Sequence, residues 1–452
     1  MVRVDGGVRI AAAPRELSFP EGFLFGCASA AHQVEGGNVN DWSAFERQPG
    51  RIKDGSVSGR ACEHHQRFRD DLRDYAALGH NAHRFSVEWS RVEPLEGQFD
   101  VAALRHYREM VATCRQLGLE PLVTLHHFTL PLWLADQGGV CAAEAPLRFA
   151  RFAAACAEAF GDGVEWWITI NEPVVLATLG YLQGVWPPAR RSLMGSFAAL
   201  RGLLRMHAAA ALALREVAHR RGRAARVSVA HHVRGMTAAD PSSLLDHVAA
   251  AVPDHLLNRW WLRCCVDGRL HPPVGAGQRV SGAASSLDWV GLNYYCDDLV
   301  AFDAMRPGAL FARQFPDPRL PRSSFNWAIE PEGLRRALVG VWQQTRLPIV
   351  ITENGVADID DELRPQFIVD HLAAVHRAIG DGVDVRGYMH WTGMDNFEWA
   401  EGYSQRFGLF AVDAATMERK RKPSADVYAR ICRAGGIPAD LLEALAQIAA
   451  EQ

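Results

Sequence analysis

Two glutamates stand at the ends of short apolar runs in this 452-residue chain. Glu353 closes Leu347-Pro348-Ile349-Val350-Ile351-Thr352-Glu353-Asn354-Gly355, and Glu172 follows Thr169-Ile170-Asn171 and precedes Pro173. Pro348 restricts Leu347 to extended geometry, the β-branched run reads as a buried strand, and Asn354-Gly355 reads as the turn that ends it. A carboxylate at the C-terminal tip of a strand buried on both faces sits where parallel α/β folds build their active sites. Taken alone, such an acid is as well explained as a turn cap, so its partners decide.

Paired carboxylates facing one pocket can divide the work of breaking a glycosidic bond. One protonates the leaving oxygen while the other stays ionised to attack carbon or activate water. Pro173 after Glu172, and Trp166-Trp167 before it, suggest an apolar setting that raises the Glu172 pKa and keeps it protonated. Arg84 would hold Glu353 ionised and Tyr295 would hydrogen-bond it, if both point inward. Trp391 and Trp399 offer flat faces to a sugar ring, and Gln33, His127, Asn171 and Glu398 offer partners to its hydroxyls.

Metal chemistry is the rival, raised by His64-His65, His126-His127 and His231-His232. Adjacent residues on a strand face opposite ways, so each strand pair supplies one ligand to a given site. The chain has no His-Glu-x-x-His and no metal-type Cys/His spacing, and the expectation is no metal and no cofactor. A serine hydrolase would need a Gly-x-Ser-x-Gly, which is absent.

An alternation of strand and helix must position these residues. Strands are expected over 23–28, 81–87, 121–127, 164–170, 226–230, 286–295, 347–353 and 383–391. Helices are expected over about 69–78, 101–117 with Asp100 as N-cap, 145–160, a long one from the cap Ser196 to about 219, 256–265, 333–344, 367–379 and 424–434. Eight such units without a linker predict an α/β chain forming a single (β/α)8 TIM barrel over 1–452, with 1–16 as an N-terminal extension and 437–452 as a C-terminal tail. Barrels of this kind average about 250 residues. The surplus falls in enlarged loops at 41–59, 187–196, 271–284 and 297–326, which would deepen the C-terminal mouth. The alternative, a doubly wound open sheet, lacks a Gly-x-Gly-x-x-Gly after any strand. On the barrel, Arg84, His127, Asn171, Glu172, Asn293, Tyr295, Glu353 and Trp391 all fall at strand ends, and the two glutamates approach from different sides of the ring.

Composition sets the outer bounds. With 48% hydrophobic and 22% charged residues the chain has ample core, and a net charge of −4 implies neither nucleic acid nor membrane as a partner. The basic run His219-Arg220-Arg221-Gly222-Arg223-Ala224-Ala225-Arg226 follows a long helical pattern, where cations suit the helix C-terminus. Nine scattered cysteines without a Cys-x-x-Cys suggest reduced thiols and a cytoplasmic location. Met1 to Arg15 has no apolar stretch of signal-peptide type, and no run of eighteen apolar residues occurs.

Six motifs in order resemble those of glycoside hydrolase family 1, the β-glucosidase family. They are Phe23-Leu24-Phe25-Gly26 through Gln33-Val34-Glu35-Gly36, His83-Arg84-Phe85-Ser86-Val87-Glu88-Trp89, Thr169-Ile170-Asn171-Glu172-Pro173, Gly291-Leu292-Asn293-Tyr294-Tyr295, Ile351-Thr352-Glu353-Asn354-Gly355, and Trp391 through Met394-Asp395-Asn396-Phe397-Glu398-Trp399. The resemblance implies an exo-acting retaining β-glycosidase, with β-glucosidase first and β-galactosidase, β-fucosidase or β-mannosidase specificity or transglycosylation as alternatives. It implies Glu172 as acid/base and Glu353 as nucleophile, supported by Arg84 and Tyr295. Gln33, His127, Asn171, Asn293, Glu398 and Trp399 would bind the sugar over a Trp391 platform, with Asn171 at the 2-hydroxyl and Trp327 on the aglycone side. The partner would be a small β-glycoside or short β-linked oligosaccharide, and homo-oligomerisation stays open. Phe128 stands where many members carry Trp, which puts the choice of sugar in doubt, while Cys27 and His32 depart outside the inferred contacts. Glu398 stands where phospho-sugar members carry Ser, and a carboxylate there would repel phosphate. A sugar-binding pseudoenzyme on the same barrel is disfavoured by the presence of both glutamates.

Overall fold

The computed structural model describes residues 16–306 and 311–443. Eight parallel strands close a barrel in sequence order: β1 (Leu24–Ala28), β2 (Ala82–Ser86), β3 (Glu120–His126), β4 (Trp166–Asn171), β5 (Arg226–Val233), β6 (Val290–Tyr294), β7 (Ile349–Asn354) and β8 (Val385–Trp391). The ring shuts where β8 pairs with β1, Trp391 lying opposite Ala28. The main outer helices are α1 (His64–Ala77), α2 (Val101–Gln116), α3 (Ala145–Phe160), α4 (Leu193–Arg220), α5 (Trp260–Asp267), α6 (Pro331–Thr345), α7 (Arg364–Gly380) and α8 (Pro423–Ala434). All eight expected units are present, because strands covered by helices read as continuous apolar runs. Ile349, Val350 and Ile351 of β7 are wholly buried.

Local signals explain most helix ends. Asp100 accepts from Ala102 and Ala103 amides at 2.7 and 3.1 Å and starts α2 as expected. The long helix is different. Ser192, not Ser196, caps α4 by accepting from the Gly195 amide at 3.0 Å, and Ser196 is buried one turn inside. The first turn carries the exposed Leu193 and Met194, which break the apolar periodicity and hid the true start. α4 is long and apolar enough to meet the length and composition of a membrane span, yet it packs along α3 as a core helix.

The enlarged loops are structured. Asp41–Phe45 is a short helix opened by a capping box at Asn40. Met236–Ala238, Asp298–Phe302 and Ala312–Phe315 form a three-stranded sheet beside the mouth, which the short, half-exposed segments did not announce. Gly436–Ile437 pairs with Leu17–Ser18, and Ile437 is fully buried, so the expected tail begins as part of the body. Residues 1–15 of the expected extension and 444–452 of the tail lie outside the described residues. All nine cysteines are free thiols, and eight are buried. Within the basic run, Arg220 and Arg221 are spent on Glu158, Glu216 and Asp162.

Candidate active site

The tip of β7 places Glu353. In register, His232 of β5 lies opposite Asn293 of β6, and Asn293 lies opposite Glu353, so these three form one row across the mouth. A register shift between Ile351 and Glu353 inserts one extra residue on β7, the kind of bulge that re-aims a side chain at a strand end. Glu353 is held at both oxygens. The fully buried Arg84 donates from Nη1 to Oε1 at 2.6 Å, and Tyr295 donates its hydroxyl to Oε2 at 2.6 Å. Arg84 is fixed in turn by Thr124 and by the Thr352 carbonyl.

Beyond β4, Glu172 sits at φ 43°, ψ 59°, the left-handed region that costs a non-glycine residue about 1–3 kcal/mol. Its amide donates to the Ala230 carbonyl at 2.8 Å and Pro173 starts a short helix after it, which together impose that turn. Glu172 Oε1 accepts from Asn293 Nδ2 at 2.8 Å and lies 3.2 Å from His232 Nδ1. No protein donor reaches Oε2 among the described residues. A chain of hydrogen bonds connects the carboxylates: Glu353 to Arg84, Arg84 Nη2 to Asn171 Oδ1 at 2.6 Å, Asn293 Nδ2 to the same oxygen at 3.1 Å, and Asn293 to Glu172.

The apolar setting expected for Glu172 is corrected by this geometry. Trp166 and Trp167 lie at the far end of β4, about 16 Å or more down the strand, where Trp166 packs on Trp289 and Trp167 on Phe160. Burial pushes Glu172 upward, but His232, Asn293 and Arg84 outweigh it and pull its carboxyl below the usual value. Burial raises Glu353 to about 7, against Arg84 and with a push from the Glu172 charge. Tyr295 is pushed well above its ordinary value by burial and by Glu353, so it stays a donor.

Behind this centre lies a polar and aromatic wall. Gln33 Nε2 donates to the Phe397 carbonyl, to Asn396 and to Glu398 at 2.9, 3.1 and 3.2 Å, while its Oε1 is buried with no partner. Asn171 Oδ1 faces Arg84, which turns its Nδ2 to His127 Nε2 at 3.1 Å and leaves His127 Nδ1 buried and unmatched. Burial, then Arg84, push His127 well below its ordinary value, so the ring is neutral. His127 stacks between Trp391 and Trp399, 5.9 Å from each. Trp327 stands on the other side, 5.5 Å from the Tyr295 ring and stacked on Phe325 at 4.2 Å. Thus all the expected site residues converge on the mouth.

Some roles shift. Asn293 spends its amide hydrogens on Asn171 and Glu172 and accepts from Thr352 at 2.7 Å, so it braces the centre where a sugar ligand was expected. His32 does touch the site: its ring stacks on Trp399 at 5.7 Å and is held by Asn40 and Glu46. Burial and the Glu353 charge raise Glu398 to about 8. His232, Thr352 and Asn396 were missed as site residues. Strand alternation sets His232 opposite His231, which faces outward to the Asn258 carbonyl at 2.9 Å, and that alternation is the signal in the sequence that turns His232 toward the mouth.

A cleft of about 700 Å³ opens elsewhere, on the barrel's outer side between α6 and the turn His255–Arg259. Its Arg259 and Arg336 are paired with Asp254 and Asp297, and neither glutamate of the mouth lines it. Among the described residues no group of His, Cys, Asp and Glu is arranged to hold a metal ion.

A parallel barrel whose mouth gathers two inequivalent carboxylates among buried amides and indoles has the build of a glycosidase. The family model for glycosyl hydrolase family 1 matches residues 15–437. The chain is 34% identical to β-glucosidase A of Thermotoga maritima over 93% of this chain and 98% of that one. It is 31% identical to a β-galactosidase of Sulfolobus acidocaldarius, over 94% and 97%. A β-glycosidase from Pyrococcus horikoshii superposes with a TM-score of 0.87 at 37% identity, covering 95% and 98%. The chain belongs to glycosyl hydrolase family 1 and is a β-glycosidase.

Proposed function

We propose an exo-acting retaining enzyme with β-glucosidase as its main activity, in which Glu353 is the nucleophile and Glu172 the acid/base. The supporting observation is the unequal holding of the two carboxylates. Glu353 is gripped at both oxygens by Arg84 and Tyr295, which suits a carboxylate that attacks as an anion. Glu172 is held at Oε1 alone, which leaves Oε2 free to meet a leaving oxygen.

In the first half, the anomeric carbon–oxygen bond breaks as Glu353 forms a bond to that carbon and the Glu172 proton passes to the departing oxygen. In the second, Glu172 takes a proton from water, whose oxygen replaces Glu353 on the carbon. Asn171, oriented by Arg84 and His127, has an amide hydrogen to give the 2-hydroxyl. Gln33 Oε1 and His127 Nδ1, buried without protein partners, would be satisfied by hydroxyls of the terminal sugar. Phe128 packs on Trp186 and Trp399 and brings no polar group, which leaves gluco and galacto sugars both admissible.

A panel of aryl β-glycosides differing only in the sugar, compared by kcat/KM, tests the specificity, with the glucoside expected first. Proton NMR of the first-formed product tests the stereochemistry, with the β anomer expected. Glu353→Ala should lose nearly all turnover, and Glu172→Ala should recover part of its activity in azide. Near wild-type hydrolysis by Glu353→Ala would overturn the assignment.

A further inference from the structure

We propose that His232 is a positioning residue that holds the Glu172 carboxylate and sets the pH at which it gives up its proton; this rests on Glu172 being the acid/base. The geometry is direct. His232 Nδ1 lies 3.2 Å from Glu172 Oε1, on the same oxygen that accepts from Asn293. Register fixes the arrangement, because His232 on β5 pairs with Asn293 on β6. The imidazole also lies along the Tyr295 ring, with centroids 6.2 Å apart and planes 26° apart, and Tyr295 holds Glu353. One side chain therefore leans on the holders of both carboxylates.

The tautomer with hydrogen on Nδ1 gives Glu172 Oε1 a second donor. Two donors on one oxygen leave the transferable proton to Oε2 and stabilise the anion formed when it departs. In the reaction Glu172 loses one proton to the leaving oxygen and regains one from water. The groups facing His232 are Glu172 just past β4, Asn293 at the end of β6 and Tyr295 just past it, and the nearest cation in sequence is Arg234, just past β5. Arg234 is neutralised by Asp298 at 2.8 Å, and Glu353 with Arg84 stands one step behind Tyr295. A residue present only for packing would need none of this polar alignment.

The test is the pH profile of kcat/KM on a β-glucoside with a poor leaving group, for wild type, His232→Phe, His232→Asn and Glu172→Ala. Phenylalanine keeps the ring against Tyr295 and removes the donor, whereas asparagine places an amide nitrogen where Nδ1 stood. The alkaline limb should move up by about 0.5–1 pH unit in His232→Phe, since losing a donor to the anion raises the acid's pKa, and return to the wild-type position in His232→Asn. Should His232→Phe fail to fold, His232→Leu makes the same comparison. A limb that vanishes in Glu172→Ala but stays in place in the donor-free variant overturns the proposal alone. A limb that survives Glu172→Ala overturns the acid/base assignment and the proposal with it. Equal shifts in the Phe and Asn variants would show a packing role and also overturn it.

Discussion

Arg84 Nη2 and Asn171 Oδ1 lie 2.6 Å apart, and that bond joins the two halves of the site. On one side the same guanidinium holds Glu353, and on the other the same amide oxygen receives Asn293, which holds Glu172. Orientation of an amide, a guanidinium and two carboxylates is therefore one problem with one solution, and a change at any member disturbs the others.

Arg84→Met tests that coupling most severely. The substitution leaves Glu353 buried without a cation, takes the guanidinium donor from the Thr352 carbonyl, and leaves Asn171 Oδ1 with Asn293 as its donor. Breaking a buried pair from one side costs about 3–5 kcal/mol, and the loss of preorganised charge should reduce kcat about 100-fold or more. Denaturant unfolding and steady-state kinetics read the two effects. Stability within about 1 kcal/mol of wild type would show that the guanidinium is not the keystone of this network.

Tyr295→Phe should act more narrowly. It removes one donor from Glu353 Oε2 and leaves the ring packing on His232 and Trp327. Since that hydrogen bond favours the ionised carboxyl, its loss raises the Glu353 pKa further above the usual value. Activity needing the ionised form should then begin at higher pH, so the acid limb of kcat/KM shifts upward while the unfolding midpoint stays close to wild type. An unmoved acid limb would detach Tyr295 from the titration of Glu353.

These dependencies mark where sequence reading reaches its limit. The barrel was legible because eight apolar runs alternate with helical spacing, and Glu172 and Glu353 because each ends such a run. Asn293 was legible as a strand-end residue but not as a brace, because its partners Asn171, Glu172 and Thr352 come from other strands. Glu172 was given the wrong surroundings for the same reason: its neighbours in sequence, Trp166 and Trp167, lie at the other end of β4, while His232 arrives from β5. Pairing distance in space, not along the chain, sets the local field.

Gly355 illustrates a residue whose place was legible and whose reason was not. Asn354-Gly355 reads as a turn, yet Asn354 donates to the Tyr294 carbonyl and accepts from Tyr388, tying β6, β7 and β8 together. A Cβ on Gly355 would come within 1.9 Å of the Trp391 carbonyl oxygen, so the glycine permits β8 to approach the tip of β7. Gly355→Ala must push apart the two strand ends that carry Glu353 and Trp391. We expect a clear fall in both melting temperature and kcat, whereas an exposed turn glycine would change the melting temperature alone. A variant with full kcat would show that the strand ends tolerate separation.

The buried histidines make the fold sensitive to acid. Burial depresses His80, His83, His126, His127, His207, His231, His371 and His390 below their ordinary value, so each is neutral in the fold. Their contribution is complete above about pH 6.5, where the unfolded chain is also neutral. It is lost as pH falls below that value, because the unfolded chain then binds protons that the fold refuses. Glu35, Asp41 and Glu353, raised to about 7, and Glu398, raised to about 8, act oppositely: their contribution falls as pH rises from the unfolded carboxyl value of about 4 and is gone once pH has passed those folded values. The histidines outnumber them, so stability should peak near pH 6.5 and fall toward pH 5. His126 isolates one contribution: both ring nitrogens lack partners, it packs on Phe149, and its value falls to about 3. His126→Leu should flatten the acid side by about one proton, up to about 1.4 kcal/mol per pH unit. Denaturant unfolding at pH 6.5, 5.5 and 5.0 measures the slope, and an unchanged slope in the variant would mean that His126 gains its proton in the fold.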